Sequence, residues 1–366
     1  MKKLLSVLIA AIMLLAPMVF AVDIGEGIGI DITTEDFPPL IWLCDHRVVL
    51  DDNVEPGRVS DGGDRLVERI NNYAFEGEQI EWKVLVMDKN GIEKIEDVYV
   101  TIGDTQGEGN DIDANCDISD FEPESIPDKC NARILEEELD DFDDNVMRFY
   151  TCTFTVETPE SMYGEYWITG EVTDLDGLMG TFDENEYWFL NPIIGLSIDG
   201  DLTFEDVRPG TQAYSDTLLV GNDADDGSGV LLDMFISGTD FYDSSSSGAK
   251  CPTTNQLTLD NFRYYVVNGA YSSTGDLGID VPAGRGDRNT DPEGYTNIGY
   301  GNGFNNPTPF YNAFEILQAP ASVGGYYPAN ILAPGAEMAI TFKLSLPEPC
   351  NGDFDSGSLY FWGEAI

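Results

Sequence analysis

Hydrophobic and polar residues alternate along most of the chain with the period of a β-strand. In the clearest run, residues 79–87, Ile80, Trp82, Val84 and Val86 share one face. Similar runs predict further strands at 37–44, 94–102, 147–156, 164–173, 186–190, 193–198, 202–207, 213–221, 262–267, 310–317 and 338–346. The turn residues 88–91 predict a hairpin between the strands 79–87 and 94–102. Only residues 132–139 suggest a helical turn, so the pattern predicts an all-β fold.

Residues 22–33 form the most one-sided of these runs. One face is almost wholly apolar, while glycine and aspartate occupy the other. Such a strand belongs in a sheet, either as an edge strand of its own domain or as a strand donated to a neighbouring chain. The residues of this predicted assembly strand are Val22, Ile24, Ile28, Ile30 and Ile32.

Residues 1–21 have the pattern of a cleaved secretory signal peptide. Lys2 and Lys3 precede an apolar run, and Ala21 ends a small-residue cleavage site. No second apolar run reaches membrane-spanning length, so we expect no membrane span in the mature chain. The expected location is extracellular or on the cell surface, where an even number of cysteines predicts disulfides.

The remaining chain is long enough for two domains. Asn191 and Pro192 interrupt the strand pattern and predict a boundary between a β-sandwich at 22–191 and a second β-sandwich at 192–366. Within the second half, residues 238–250 and 270–309 are rich in Gly, Ser, Asn and Asp, which predicts a long loop insertion.

The formal charge is −49, and loss of Lys2 and Lys3 with the leader makes the mature chain more negative still. This charge disfavours nucleic acid and anionic lipid as partners. Carboxylates at this density need screening by salt or bound cations, and the composition leaves open which of the two applies.

Three loops combine Asp and Asn at the spacing that hard cations prefer, and each is a candidate calcium site or simply an acidic turn. Alternating oxygen side chains can converge on one side of a tight loop, although none of the three shows the full EF-hand pattern. The candidate ligands are Asn351, Asp353 and Asp355, then Asn222, Asp223 and Asp225, and finally Asp174 and Asp176. Calcium is the one cofactor that we expect.

The sequence gives little support for catalysis. The single histidine, His46, has no nucleophile motif around it, and no CxxC or HExxH zinc pattern occurs. Two carboxylates could form a glycosidase pair, but in so acidic a chain such pairs arise by chance. We therefore predict a non-catalytic protein and keep a carboxylate-dependent glycoside-active enzyme as the third alternative.

Exposed aromatic rings could provide a sugar-binding platform. Most candidates lie in strand-period runs and are expected in the core, whereas Tyr326 and Tyr327 lie in a glycine-rich loop. The full set of candidates is Trp42, Trp167, Trp188, Trp362, Tyr264, Tyr265, Tyr326 and Tyr327.

The first half resembles immunoglobulin-like sandwiches. Tyr150 and Cys152 form the Tyr-x-Cys pattern of that fold, with Trp82 and Cys44 on earlier strands. A bridge between Cys116 and Cys130 would close the acidic loop 103–129. The resemblance then implies Cys44–Cys152, and Cys251–Cys350 remains for the second half. The expected fold is thus two immunoglobulin-like Greek-key sandwiches.

The second half carries a Pro-Gly turn, Pro209-Gly210, followed by a strand that ends in Asn222, and a second such turn at Pro334-Gly335. In this respect the chain resembles camelysin-type biofilm fibre subunits, bundling-pilus subunits and uncharacterised secreted archaeal cell-surface proteins. The resemblance implies a structural role. We therefore expect a component of an S-layer-like envelope or a surface filament, which self-assembles or binds other surface proteins through strand edges and carboxylate-bound cations. The alternative is a glycan- or calcium-binding adhesion module.

Overall fold

The computed structural model describes residues 31–51, 65–66, 71–107, 110–131, 141–182, 186–273, 290–300, 314–318 and 327–366. The chain divides into two compact units, 1–36 and 37–366. In the first unit, the described residues 31–36 have no regular secondary structure. The predicted signal peptide at 1–21 lies outside the described residues.

The second unit is almost entirely β-structure, which confirms the predicted all-β, sandwich-type fold. Its first ten strands are β1 (Leu40–Asp51), β2 (Arg65–Leu66), β3 (Tyr73–Ala74), β4 (Glu78–Met87), β5 (Ile95–Gly103), β6 (Ile112–Ile118), β7 (Met147–Thr155), β8 (Gly164–Asp174), β9 (Met179–Phe182) and β10 (Tyr187–Leu190). They are accompanied by a 3-10 turn at Ile92–Lys94 and by the short helix α1 (Asp128–Asn131). No helix among the described residues is long and apolar enough to cross a membrane.

The later strands are β11 (Leu196–Asp199), β12 (Gln212–Tyr214), β13 (Leu218–Asn222), β14 (Leu232–Gly238), β15 (Phe241–Tyr242), β16 (Gln256–Leu257), β17 (Phe262–Asn268), β18 (Tyr271–Ser272), β19 (Thr296–Asn297), β20 (Gly299–Tyr300), β21 (Phe314–Glu315), β22 (Ile331–Leu332), β23 (Glu337–Ser345) and β24 (Leu359–Ala365). Two further 3-10 turns lie at Leu259–Asn261 and Pro328–Asn330.

The first ten strands form a sandwich whose two layers are joined through β6. One layer contains β1, β4 and β7, and the other contains β5, β8 and β10. The first half of β6 pairs with β5 and the second half pairs with β7. The alternating face of β4 that the sequence predicts is buried against residues of β5 and β8, so the strand period does define this core.

The predicted hairpin between the strands at 79–87 and 94–102 is wrong. β4 pairs with β1 and β7, whereas β5 pairs with β6 and β8. Leu85 and Met87 on the second face of β4 are buried as well, so both faces of this strand are covered. Its two edges are occupied by β1 and β7. The turn after Met87 therefore carries the chain across to the opposite layer.

Two of the three predicted disulfides are also wrong. The bridges are Cys44–Cys130, Cys116–Cys152 and Cys251–Cys350, so only the third is paired as predicted. Cys116 and Cys152 are directly opposite each other on β6 and β7 and contact the core around Trp82.

The reason for this connectivity is the face on which each sulfur lies. Cys44 packs on the outer side of the β1–β4–β7 layer, in the cluster of Trp42 and Phe149, and Cys130 of α1 covers the same cluster. Because neighbouring strand positions face opposite sides of a sheet, Cys44 cannot reach the inner-facing Cys152. Of the two bridges of this half, Cys116–Cys152 joins neighbouring strands and Cys44–Cys130 ties α1 to the outer face of the β1–β4–β7 layer, unlike the inter-layer bridge that the immunoglobulin resemblance implies.

The second sandwich packs a large sheet against a smaller one. The large sheet has the order β11-β13-β23-β17-β18, with β12 on β23 and β19 on β17, and the smaller one is centred on β14, which pairs with β20, β21, β22 and β24. Fully buried residues from both sheets form the core: Val220, Tyr264, Val266, Met338, Ile340 and Phe342 face Leu232, Met234 and Ile236.

Two predicted strands of this half differ from the structure. Residues 202–207 form no strand; instead Leu202 and Phe204 cover the core from a loop, with Phe204 against Phe262. The run 213–221 is split into β12 and β13. Ser215 interrupts it, because its main-chain N–H and its hydroxyl bond the main chain of Phe342.

No described strand that precedes residue 191 pairs with a described strand that follows residue 195. The sequence predicts the domain boundary at this point. Residues 37–366 nevertheless form one compact unit, and Tyr73 and Phe189 from the first sandwich are part of the core of the second. Tyr73 also donates a hydrogen bond of 2.6 Å to the Ile366 carbonyl. The division at 191/192 stays a prediction.

Candidate functional site

The candidate calcium loop 351–357 is organised by hydrogen bonds to protein donors. The buried Asp243 carboxylate accepts the Asp353 N–H at 2.9 Å and the Ser245 N–H at 2.9 Å. The bond from Asp353 and those from Ser245 lower the pKa of Asp243. A carboxylate absent from the predicted ligand set therefore holds this loop in place.

The predicted ligands of the same loop have protein partners too. Asp355 accepts the Ser244 hydroxyl at 2.8 Å and its N–H at 3.1 Å, which lowers the pKa of Asp355. The main chain of Asn351 pairs with that of Lys250. These bonds tie the candidate loop to residues 243–250, more than 100 positions earlier in the chain.

In the second candidate loop, Asn222 is a structural residue. Its buried amide donates to the carbonyls of Val230 and Leu332, both at 2.9 Å, and its oxygen accepts the Ala224 N–H at 3.0 Å. Both amide hydrogens of this buried side chain and one lone pair of its oxygen thus bond to the main chain.

Asp223 and Asp225 of this loop have different surroundings. Asp223 is exposed, whereas Asp225 accepts the Tyr163 hydroxyl at 2.9 Å and the Ile193 N–H at 2.8 Å. Asp225 therefore joins the first sandwich, through Tyr163, to the start of the second.

The buried Asp174 of the third candidate loop has a second buried carboxylate near it, Asp88, which the sequence analysis did not select. Oδ1 of the buried Asp174 accepts the N–H groups of Asp176 and Leu178, and Asp176 forms an ion pair with Lys94 at 2.5 Å. Asp88, at the end of β4, is fully buried, and its Oδ2 has no hydrogen-bond partner. Burial raises the pKa of Asp88, and the charge of Asp174 acts in the same direction.

We expect Asp88→Asn to stabilise the protein at pH 7, because burying a neutral amide costs less than burying an ionised carboxylate. Asparagine retains the acceptor for the Asn90 N–H and carries no charge to bury beside Asp174. Because the folded-state pKa of Asp88 is raised, its destabilising effect fades as the pH falls through that pKa. The advantage of Asp88→Asn should therefore shrink towards pH 4, as thermal unfolding would measure.

The exposed Asp97 offers a matched control, because Asp97→Asn changes the same charge without burial. Equal stabilisation by both substitutions, or an advantage of Asp88→Asn that grows at low pH, would contradict the assignment of the effect to the buried carboxylate.

Across the described ranges, no three Asp, Glu, His or Cys side chains come together as a group that could hold a metal ion. Calcium binding stays a prediction. The side chain of His46 lies outside the described residues, and the absence of catalysis likewise stays a prediction.

Only one of the two residues of the predicted sugar platform at 326–327 is described. Tyr327 is buried, and Tyr326 lies outside the described residues. Trp42, Trp188 and Tyr264 are buried as well, in agreement with their strand period, whereas Trp167, Trp362 and Tyr265 are half-buried.

Among the described residues, a run of exposed apolar side chains lies along β11 and the residues just before it, at one edge of the large sheet. Ile193, Ile194, Leu196 and Ile198 have exposed fractions between 37% and 61%. β11 pairs only with β13 among the described strands, so its other edge is open. The sequence predicts a strand here, but its position at an edge comes from the sheet order.

The backbone of β11 also presents hydrogen-bonding groups at this edge. The carbonyls of Ile193 and Gly195 accept hydrogen bonds from the N–H groups of Asp225 and Asp223, respectively. The backbone N–H and C=O groups of odd-numbered residues therefore point towards β13. Because the direction of the backbone groups alternates along an antiparallel strand, the N–H and C=O of Leu196 and Ile198 point away from β13. An edge of this kind is a template for a further strand.

The predicted assembly strand lies largely outside the described residues, since only its final residues, 31–33, are described. They are not in a strand, and Ile32 is 78% exposed. The strand at Val22, Ile24, Ile28 and Ile30 stays a prediction.

No protein-family model matches the chain. The chain is 24% identical to an uncharacterized protein, MJ0289, of Methanocaldococcus jannaschii, in an alignment that covers 99% of this chain and 97% of that protein. This similarity extends over the full described fold but brings no function with it.

Among solved structures, a DUF4466 family protein from Parabacteroides merdae is 12% identical with a TM-score of 0.22, covering 74% of this chain and 93% of that one. The C-terminal domain of the antigen I/II-family protein AspA from Streptococcus pyogenes is 10% identical, also with a TM-score of 0.22, covering 91% of this chain and 97% of that one. TM-scores this low do not indicate a shared fold.

Proposed function

We propose that this chain is an exported, non-catalytic structural protein of the cell envelope, an S-layer-like or surface-filament component that assembles through strand edges. The observation that carries this proposal is the open edge of β11, where exposed apolar side chains accompany outward-facing backbone groups. Soluble β-proteins usually protect such an edge with charge, proline or a covering loop. An apolar edge instead favours pairing with another chain.

The cysteines support export. All six are paired in disulfides, which persist in oxidising compartments outside the cytosol. Two bridges in the first sandwich and one in the second suit a protein that must stay folded at a cell surface.

The partner strand in this proposal is either β11 of a second copy or the apolar strand that begins at Val22. Ile32 at the end of that strand is exposed, as a side chain available to a neighbour would be. Carboxylates repel one another across such an interface, so divalent cations would promote assembly of this acidic chain.

The test compares the mature chain with Ile198→Lys by light scattering and negative-stain microscopy, with and without calcium. Ile198 is exposed, so lysine should leave the fold intact while placing a charge on the edge. The matched control is Tyr271→Lys on β18, a similarly exposed side chain at the other end of the same sheet.

We expect assemblies of the wild type and of Tyr271→Lys, and monomers of Ile198→Lys. Monodisperse wild-type monomers under both conditions, or unchanged assembly of Ile198→Lys, would refute the proposal. Deletion of residues 22–32 then identifies the partner strand: loss of assembly by a folded variant supports donation by that strand.

A further inference from the structure

Three tyrosines form a row on the outer face of the large sheet of the second sandwich. Tyr214 lies on β12, Tyr265 on β17 and Tyr295 next to β19. The ring centroids of Tyr214 and Tyr295 are 5.7 Å apart, and those of Tyr295 and Tyr265 are 5.6 Å apart. We call this row the tyrosine surface. It is separate from the β11 edge and does not depend on the proposed function.

A buried lysine lies beneath the tyrosine surface. Lys343 of β23 is directly opposite Tyr214 in the strand register, and its Nζ lies 5.9 Å from the centroid of Tyr214 and 5.5 Å from that of Tyr295. Nζ also donates to Asp291 Oδ2 and Glu293 Oε2, both at 2.8 Å. The ring positions are therefore fixed by a charge network.

Glu293 connects this network to the solvent. Its Oε2 also accepts the Tyr214 hydroxyl at 3.0 Å, yet the side chain remains 53% exposed. The bonds from Lys343 and Tyr214 lower the pKa of Glu293, so the carboxylate is ionised at neutral pH. A half-exposed carboxylate is thus held in place beside a half-exposed ring, since Tyr214 is 50% exposed.

Sugars bind proteins through two kinds of contact that this arrangement supplies. An aromatic ring stacks on the apolar C–H face of a pyranose, and fixed polar groups orient the hydroxyls. Because both groups are already immobilised, binding costs little additional side-chain entropy.

The charge of the site indicates which saccharides fit. Lys343 and Arg263, whose guanidinium donates to the Tyr295 carbonyl, balance the charges of Asp291 and Glu293, so the cluster adds no net charge to a strongly acidic protein. An anionic polysaccharide would be repelled. We propose that the tyrosine surface binds a neutral polysaccharide, with Tyr214 stacking on a sugar ring and Glu293 accepting hydrogen bonds from its hydroxyls.

The test is affinity electrophoresis in native gels that contain mannan, pullulan or hydroxyethylcellulose, with alginate as the anionic comparison. We expect at least one neutral polymer to retard the wild type. Tyr214→Ala should weaken this binding by about tenfold, as loss of one stacking contact predicts, and Glu293→Gln should weaken it without removing the ring.

Tyr271→Ala is the matched control, because Tyr271 is an exposed tyrosine of the same sheet outside the row. It should bind as the wild type does, and thermal unfolding of each variant verifies the fold. No retardation by any neutral polymer, equal retardation of Tyr214→Ala and the wild type, or retardation by alginate alone would overturn the proposal. Since Ile198→Lys tests assembly separately, either proposal can fail without the other.

Discussion

Replacement of Trp82 by alanine is expected to lower the free energy of unfolding by about 3–5 kcal/mol, the range for a large aromatic residue removed from a core. Trp82 is fully buried on the central strand β4 and contacts Trp188 edge to face, with ring centroids 6.2 Å apart, as well as Phe154 at 6.5 Å. Its loss opens a cavity between the two layers of the first sandwich. Urea unfolding with the disulfides intact measures the change.

Two further variants separate packing from other effects. The indole N–H of Trp82 is buried without a hydrogen-bond partner, so Trp82→Phe should be considerably milder than Trp82→Ala because it removes an unsatisfied donor. Tyr187→Ala removes a 40% exposed ring from β10 and should have a small effect. Equal losses for Trp82→Ala and Tyr187→Ala would contradict the core assignment.

Replacement of Asn222 by alanine is expected to cost about 3 kcal/mol or more, because three buried main-chain groups lose their partner and each such loss costs about 1–3 kcal/mol. The groups are the carbonyls of Val230 and Leu332 and the N–H of Ala224. This side chain holds β13 to the segments on either side of it. Thermal or denaturant unfolding measures the loss.

The same variant distinguishes a structural residue from a calcium ligand. The loss for Asn222→Ala should be equal with calcium and with a chelator, and the neighbouring exposed Asp223→Ala should have little effect in either condition. A loss seen only in the presence of calcium would instead identify Asn222 as a ligand.

Much of the secondary structure follows from sequence alone. The predicted strand 79–87 corresponds to β4 at Glu78–Met87, and the predicted strand 338–346 corresponds to β23 at Glu337–Ser345. These predictions succeed because apolar and polar residues alternate with a period of two along a strand that buries one face, and this alternation is visible in the sequence. The buried positions Trp82 and Trp188 were predicted on the same basis.

Strand partners could not be predicted in this way. The turn after Met87 has hairpin residues, yet it connects two layers, because β1 and β7 already occupy both edges of β4. Cys44 lies on the opposite face of its layer from Cys152, so the most familiar pairing cannot form. Both errors have one origin: local periodicity describes the faces of a strand but contains no information on its neighbours.

The candidate sites show the same difference between what a local pattern predicts and what long-range pairing decides. The sequence by itself determined the all-β fold, the acidity of the chain and the positions of the Asp- and Asn-rich loops. Only the tertiary structure showed that Asn222 and Asp174 bond to nearby main chain, that β11 is an edge among the described strands, and that Tyr214, Tyr295 and Lys343 lie together. The physical reason is that sheet order and register join residues far apart in the chain, and these long-range pairings depend on the packing of the whole core.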